Sequence, residues 1–243
     1  MRRLTPIITD TAKLLTDVVA SWHDLLGPEG PEQTSTEYDD RYSFGLALNI
    51  RDLLADVRCL YEAERIRGIR LIVRPLLESA FNLDCSFTVQ DFPRTKSAGE
   101  FEDYIRRVNL WKKESKDRSG DAELDSMIQH MEGCLEELKQ KFGTAKWDDW
   151  NAHKVAVNSR ISNQYRSVFF GYSNFTHVTH ISLPTEGKPE EADSSVMIIV
   201  HISLQAIGMV LEGKPTLNCE SFQNRLIGLL EESKRIKQTW NYA

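Results

Sequence analysis

The chain reads as a succession of helix-spaced apolar stripes separated by short polar breaks. Ile7, Thr11, Leu14, Val18, Trp22 and Leu25, flanked by Ile8, Leu15 and Val19, recur at intervals of three and four, which lines one face of a helix. Gly27-Pro28 stops this stripe, and the Gly-, Pro-, Ser- and acid-rich run from Gly27 to Asp40 predicts an exposed connection. A second helix is predicted from Tyr42 to Tyr61, with Leu46, Ile50, Leu53, Leu54, Val57 and Leu60 inward. Glu62 to Gly68 reads as a tight break. A third helix follows from Ile66 to Phe87 and runs back along the second.

Asp91-Phe92-Pro93 is expected to end that unit. Ser97 and Glu100 have capping-box spacing, in which two side chains satisfy the free amides of a helix start, so a fourth helix is predicted from Ser97 to Lys116. Its inward residues are Phe101, Tyr104, Ile105, Val108 and Trp111. Ser119-Gly120-Asp121 breaks it and caps a fifth helix reaching Phe142, heavily charged outside Leu124, Ile128, Met131, Leu135 and Leu138. These two predict a charged hairpin from Ser97 to Phe142. Beyond the connection Trp147 to Trp150, a sixth helix is predicted from Val155 to Val178, then a loop from Leu183 to Asp193. Helices over Ser194 to Leu211 and Glu220 to Trp240 close the chain. The fold class is therefore all-α, a single multi-helix bundle of about eight helices. No repeat, low-complexity tract or linker divides it, so one domain spanning residues 1–243 is expected.

Composition narrows the setting. At 243 residues and 41% hydrophobic content the chain can bury a core without a disulfide or metal staple. Cys59, Cys85, Cys134 and Cys219 form no C-x-x-C pair, which predicts reduced thiols and gives no basis for a redox motif or thiolate zinc site. Asp10, Lys13 and Asp17 interrupt the apolar run that an export signal needs, so a cytoplasmic location is expected. The most apolar stretch, Val196 to Leu211, carries His201 and Gln205 and is shorter than the roughly 20 residues of a membrane span. It reads as a buried bundle helix, and no membrane partner is expected. A net charge of −6 argues against coating nucleic acid through the overall field, while leaving room for a local basic patch.

Candidate chemistry lies in two segments. In the third helix Arg70, Arg74 and Glu78 stand four apart on one slowly rotating stripe of an otherwise apolar element, with Arg74 and Glu78 placed to pair. Such groups need partners or water, because an unpaired buried charge costs several kcal/mol or more. Pro75 removes an amide donor in the same turn. The stripe reads either as an ion pair that fixes helix docking or as part of a site. Arg65, Arg67, Arg70 and Arg74 would suit an anion or RNA backbone, although Glu62, Glu64 and Glu78 largely balance them.

The second segment runs from Tyr165 to His180. Ser173 and His177 share a helical face, with Tyr165 and Tyr172 on a neighbouring stripe. His177 reads either as a hydrogen-bonded structural residue or as an acid–base group facing the carboxylate of Glu78. His177 and His180 alone do not make a metal site, and no histidine has Glu three positions before it, so neither metal nor cofactor is expected. Walker A, G-x-G-x-x-G and G-x-S-x-G patterns are missing from the sequence.

The run Glu64-x5-Arg70-x3-Arg74-Pro-Leu-Leu-Glu78, then Trp147 and Trp150, then Tyr165-x6-Tyr172-Ser173-x3-His177 resembles an uncharacterised bacterial all-α family of unknown function (DUF5677-like) over Leu46 to His180. The resemblance implies that Arg74, Glu78, Tyr172, Ser173 and His177 gather together, and it brings no established reaction. A more distant likeness is to the HEPN ribonucleases of toxin–antitoxin and phage-defence systems, which carry Arg, four to six residues and His on one helix. Here ten residues separate Arg166 from His177. Two functions follow as expectations. One is a helical binding or assembly module, self-associating or binding RNA or a small anion through Arg70, Tyr165, Tyr172 and Ser173. The other is a metal-independent ribonuclease using His177, Arg74 and Glu78.

Overall fold

The computed structural model describes residues 6–27, 37–114, 121–143, 150–164, 168–169, 172, 189–214, 217 and 220–240. Among them all regular structure is helical: α1 (Pro6–Leu26), α2 (Tyr38–Glu62), α3 (Ile66–Thr88), α4 (Phe92–Glu114), α5 (Asp121–Phe142), α6 (Ala152–Asn158), α7 (Pro189–Gly213) and α8 (Glu220–Trp240). The all-α class expected from the apolar spacing is the class observed. The backbone forms two compact units, one of Met1–Thr88 with Val155–Ala243, the other of Val89–Lys154.

In the first unit α3 and α7 form the centre. α3 packs on α2 and α7, and α7 also meets α1, α2 and α8. Both are apolar on several sides because both are surrounded: Ile69, Val73, Leu76 and Leu77 of α3, with Val196, Ile199, Val200 and Ile202 of α7, have no exposed surface. Two long-range polar pairs cross this core. Trp22 Nε1 donates to Ser203 Oγ at 2.6 Å, and Tyr61 Oη donates to Asp193 Oδ1 at 2.6 Å. Ala192–Gly213 is apolar and long enough, by those two measures, to cross a membrane, yet 72% of its most apolar window is buried inside the unit. Gly68 permits the close approach of α2 and α3, since a Cβ there would stand 3.0 Å from two Leu60 methyl carbons.

In the second unit α4 and α5 run antiparallel: Arg94, near the start of α4, stacks 3.9 Å over Phe142 at the end of α5, and Lys112, near the end of α4, pairs with Asp125 at the start of α5. Trp150 seals the base. Its ring meets Phe92 edge-on at 4.9 Å, its Nε1 donates to Thr95 Oγ1 at 2.9 Å, and its carbonyl accepts from Lys96 Nζ at 2.7 Å.

Four element boundaries differ from expectation. α4 begins at Phe92, and Ser97, expected to cap it, is a buried interior residue at 5% exposure. Asp91-Phe92-Pro93 starts this helix instead of ending its predecessor: Asp91 takes a left-handed φ of 55° that turns the chain, and Pro93 falls in the first turn, where the absent N–H has no partner to lose. α2 starts at Tyr38, with Asp39 and Asp40 in the first turn favourable to the helix dipole. α7 starts at Pro189, within the expected loop. The predicted continuous sixth helix is broken after Asn158, because Ser159 and Arg160 turn away to engage Asp84.

Candidate functional site

The ionic stripe of α3 sits where the sequence places it. Arg70 is buried to 9% exposure, while the side chains of Arg74 and Glu78 are 22% and 38% exposed. Arg74 Nε donates to Glu78 Oε1 at 3.0 Å. The Arg74 guanidinium also stacks 4.8 Å from the ring centroid of Phe169, a residue of the later tyrosine- and histidine-bearing segment. The two segments therefore meet, through a cation–π contact that the sequence reading did not name. Around Pro75, Ser79 Oγ donates to the Pro75 carbonyl at 2.9 Å and accepts from Asn49 Nδ2 at 2.8 Å, tying the turn to α2.

Of the residues expected opposite this stripe, Tyr172 is described: its hydroxyl lies 3.0 Å from the buried Ser195 Oγ of α7. Tyr165, Ser173 and His177 lie outside the described residues. Nearby, Gln164 Nε2 donates to Gln205 Oε1 on α7. The described part of this segment thus docks on α3 and α7 through ring and amide groups.

A second polar centre was not foreseen. Asp84, with no exposed surface, accepts from Ser159 Oγ at 3.0 Å and from the Arg160 backbone N–H at 2.6 Å on Oδ2, and from Arg160 Nε at 2.7 Å on Oδ1. Arg160 also reaches Glu212 at 2.5 Å, so one guanidinium joins a buried carboxylate to an exposed one. These contacts, Asp84 first and Glu212 second, hold the guanidinium more firmly protonated than usual. The adjacent Cys85 donates to the Val155 carbonyl at 3.4 Å, and its thiol is pushed up to about 12, first by burial and then by the charge of Asp84. The available signal was Asp84 itself, 14 residues and so about four turns after Arg70, on the same side of an apolar helix. The assumption of an unbroken sixth helix hid its partners.

Two open cavities lie in the second unit. One, of about 490 Å³, runs between α4 and α5 over Ile105 and Leu135, with Glu102, Arg106, Glu136 and Lys139 on its rim. The other, of about 610 Å³, lies between α4 and the Trp150 connection, where Asp103 bridges Arg106 and Arg107. Among the described residues no three His, Cys, Asp or Glu side chains converge as metal ligands.

An all-α architecture with ionic residues on a central helix and a partner segment crossing them defines the class. The chain belongs to the DUF5677 family, a family of unknown function, whose model matches residues 40–188. No curated protein and no solved structure matches the chain.

Proposed function

We propose that this chain is a cytoplasmic helical binding or assembly module, serving bacterial stress or defence responses, whose contact surface is the α4–α5 unit. The supporting observation is a pair of large side chains, Trp111 and Met127, left open on that unit. Beyond Ala98 no residue of α4 is buried, and Trp111 and Met127 are 52% and 39% exposed on a unit that also carries the two cavities. Exposed Trp and Met on one surface are characteristic of contact sites. The ionic groups of α3 have internal uses by contrast: Arg74 lies between Glu78 and Phe169, and Asp84 is enclosed by Ser159 and Arg160.

The contact of Arg74 with the segment carrying His177 favours one competing reading, a metal-independent HEPN-like ribonuclease. There the histidine would activate a 2′-hydroxyl, Arg74 would stabilise the charged phosphorane and Glu78 would orient Arg74. Incubation of folded protein with single-stranded RNA in EDTA separates the two. The module reading expects the RNA to stay intact. Cleavage that disappears in His177→Ala, with helical circular dichroism preserved, would establish the enzyme and overturn the module.

A further inference from the structure

We propose that the cavity between α4 and Trp150 binds a phosphate monoester of a small hydroxylated molecule, with the ester group seated on Arg106 and Arg107. The inference rests on the module reading and names a ligand class for the α4–α5 unit. One stripe of α4 lines the cavity: Lys96, Gly99, Asp103 and the pair Arg106 and Arg107 follow one another at three to four residues, over about 16 Å. Charge at the arginine end of this stripe is unbalanced. Both arginines reach the same carboxylate, Arg106 Nη2 meeting Oδ1 of Asp103 and Arg107 Nη2 lying 2.5 Å from Oδ2. Two guanidiniums held together by one aspartate leave one positive charge without an anion, and each engages Asp103 through a single terminal nitrogen, so further N–H groups remain to donate. Their side chains are 69% and 75% exposed, which keeps those groups within reach of a ligand. A phosphate monoester carries about −1.5 to −2 at neutral pH and accepts through three oxygens, which suits two guanidinium forks better than a lone carboxylate does.

The rest of the cavity fits the body of such a molecule. Its volume of about 610 Å³ falls in the range of small-ligand sites. Glycine weakens a helix interior, and Gly99, inside α4, leaves the wall between Lys96 and Asp103 without a side chain, where a ligand body has room. Lys96 is fixed at the far end by the Trp150 carbonyl at 2.7 Å and by Glu100 at 3.0 Å, a neutral pair that takes no charge from the arginine end. Asn151 Oδ1 accepts from the Lys154 amide at 2.9 Å, which turns its NH2 group to other use, and Glu100 keeps a second carboxylate oxygen. These supply a donor and an acceptor for hydroxyls, while Tyr104 and Trp150 add ring surface.

The test is isothermal titration calorimetry of the full chain at physiological ionic strength, with ribose 5-phosphate, AMP and inorganic phosphate as probes. At least one of the two esters should bind saturably and more tightly than inorganic phosphate, and Arg106→Gln and Arg107→Gln should each weaken that binding about tenfold. Lys113→Gln removes a cation of α4 outside the cavity lining and should leave binding unchanged. Gly99→Leu should weaken the ester with its helical circular dichroism kept; should this variant unfold, Gly99→Ala serves in its place. AMP binding more tightly than ribose 5-phosphate identifies a nucleotide as the source of the phosphate, and the reverse identifies a sugar phosphate; either supports the site. No saturable binding of either ester at millimolar concentration would overturn the proposal. So would inorganic phosphate binding as tightly as the esters, or a loss in Lys113→Gln as large as in the arginine variants. RNA cleavage removes the module reading and leaves these titrations interpretable, whereas absence of ester binding removes the ligand and leaves the module reading standing.

Discussion

Arg160 Nη2 and Nε lie 2.6 Å and 2.7 Å from the same oxygen of Asp84, a carboxylate without exposed surface, while half of the Arg160 side chain remains in contact with solvent. This asymmetry fixes which partner matters more. Arg160→Ala leaves a buried anion with the Ser159 hydroxyl and one backbone amide, and removing one member of a buried pair typically costs about 3–5 kcal/mol. Glu212, at 67% side-chain exposure, forms the outer arm of the same network, where a loss of about 1 kcal/mol or less is expected. Urea unfolding of Arg160→Ala and Glu212→Ala should show this difference. Equal losses would mean that the contact of Arg160 with Glu212 on α7, not the one with Asp84, carries the contribution of Arg160.

Periodicity along the chain reveals some elements and hides the partners of others. The helices α1, α3, α5 and α8 were legible because their apolar residues recur at helical spacing. The start of α4 was misplaced because Ser97–Glu100 satisfies a capping pattern that tertiary burial of Ser97 overrides. The end of α6 was missed for a different reason: Ser159 and Arg160 leave the helix for a carboxylate 75 and 76 residues earlier, and no local signal reports a long-range partner. The Arg74–Glu78 pair was legible as an i,i+4 relation, whereas Phe169, its aromatic neighbour, was one of several apolar residues in its segment.

Cys85 and Cys59 should behave oppositely toward thiol reagents. Cys59 is exposed, whereas Cys85 is buried with its thiol pushed up to about 12, so at mildly alkaline pH Cys59 reacts in the native protein and Cys85 only on unfolding. The linkage to stability has a definite sign. The unfolded thiol releases its proton near 9.0 and the folded one near 12, so the folded state binds more protons in that window and stability falls as pH rises through it. Denaturation of wild type and Cys85→Ala between those limits should show a shallower alkaline decline in the variant. Parallel declines would assign the alkaline loss to other groups.

Gly213 makes a close contact that no side chain can replace. A Cβ at this position would lie 2.4 Å from Cδ1 of Phe87, inside the contact distance of two carbons. Gly213→Ala therefore forces the ring or the end of α7 to move, with an expected loss of about 1–3 kcal/mol. Shortening the obstacle should help: in Phe87→Leu the alanine should be less damaging than in wild type. Thermal melts of the four proteins of this cycle measure the coupling, and an unchanged alanine effect would place its damage elsewhere.

Arg74 contacts both Glu78 and Phe169, and physical chemistry ranks the two contacts. Its pair with Glu78 runs Arg before Glu at i,i+4, the less favourable order against the helix dipole, and the Glu78 side chain is 38% exposed, so a few tenths of a kcal/mol is the expected coupling. The guanidinium over Phe169 is better shielded, with the ring at 6% exposure, and a cation–π contact of this kind contributes about 0.5–2 kcal/mol. Double-mutant cycles read by urea unfolding should therefore give a larger coupling for Arg74 with Phe169 than with Glu78. Arg74→Lys supplies a second discriminator, since an ammonium keeps the charge near Glu78 but loses the flat face that stacks on the ring. Such a variant should resemble Arg74→Ala in stability if the ring contact dominates. Full retention of stability in Arg74→Lys, together with a larger coupling to Glu78, would reverse the ranking and make the pair within α3 the contact through which Arg74 contributes to stability.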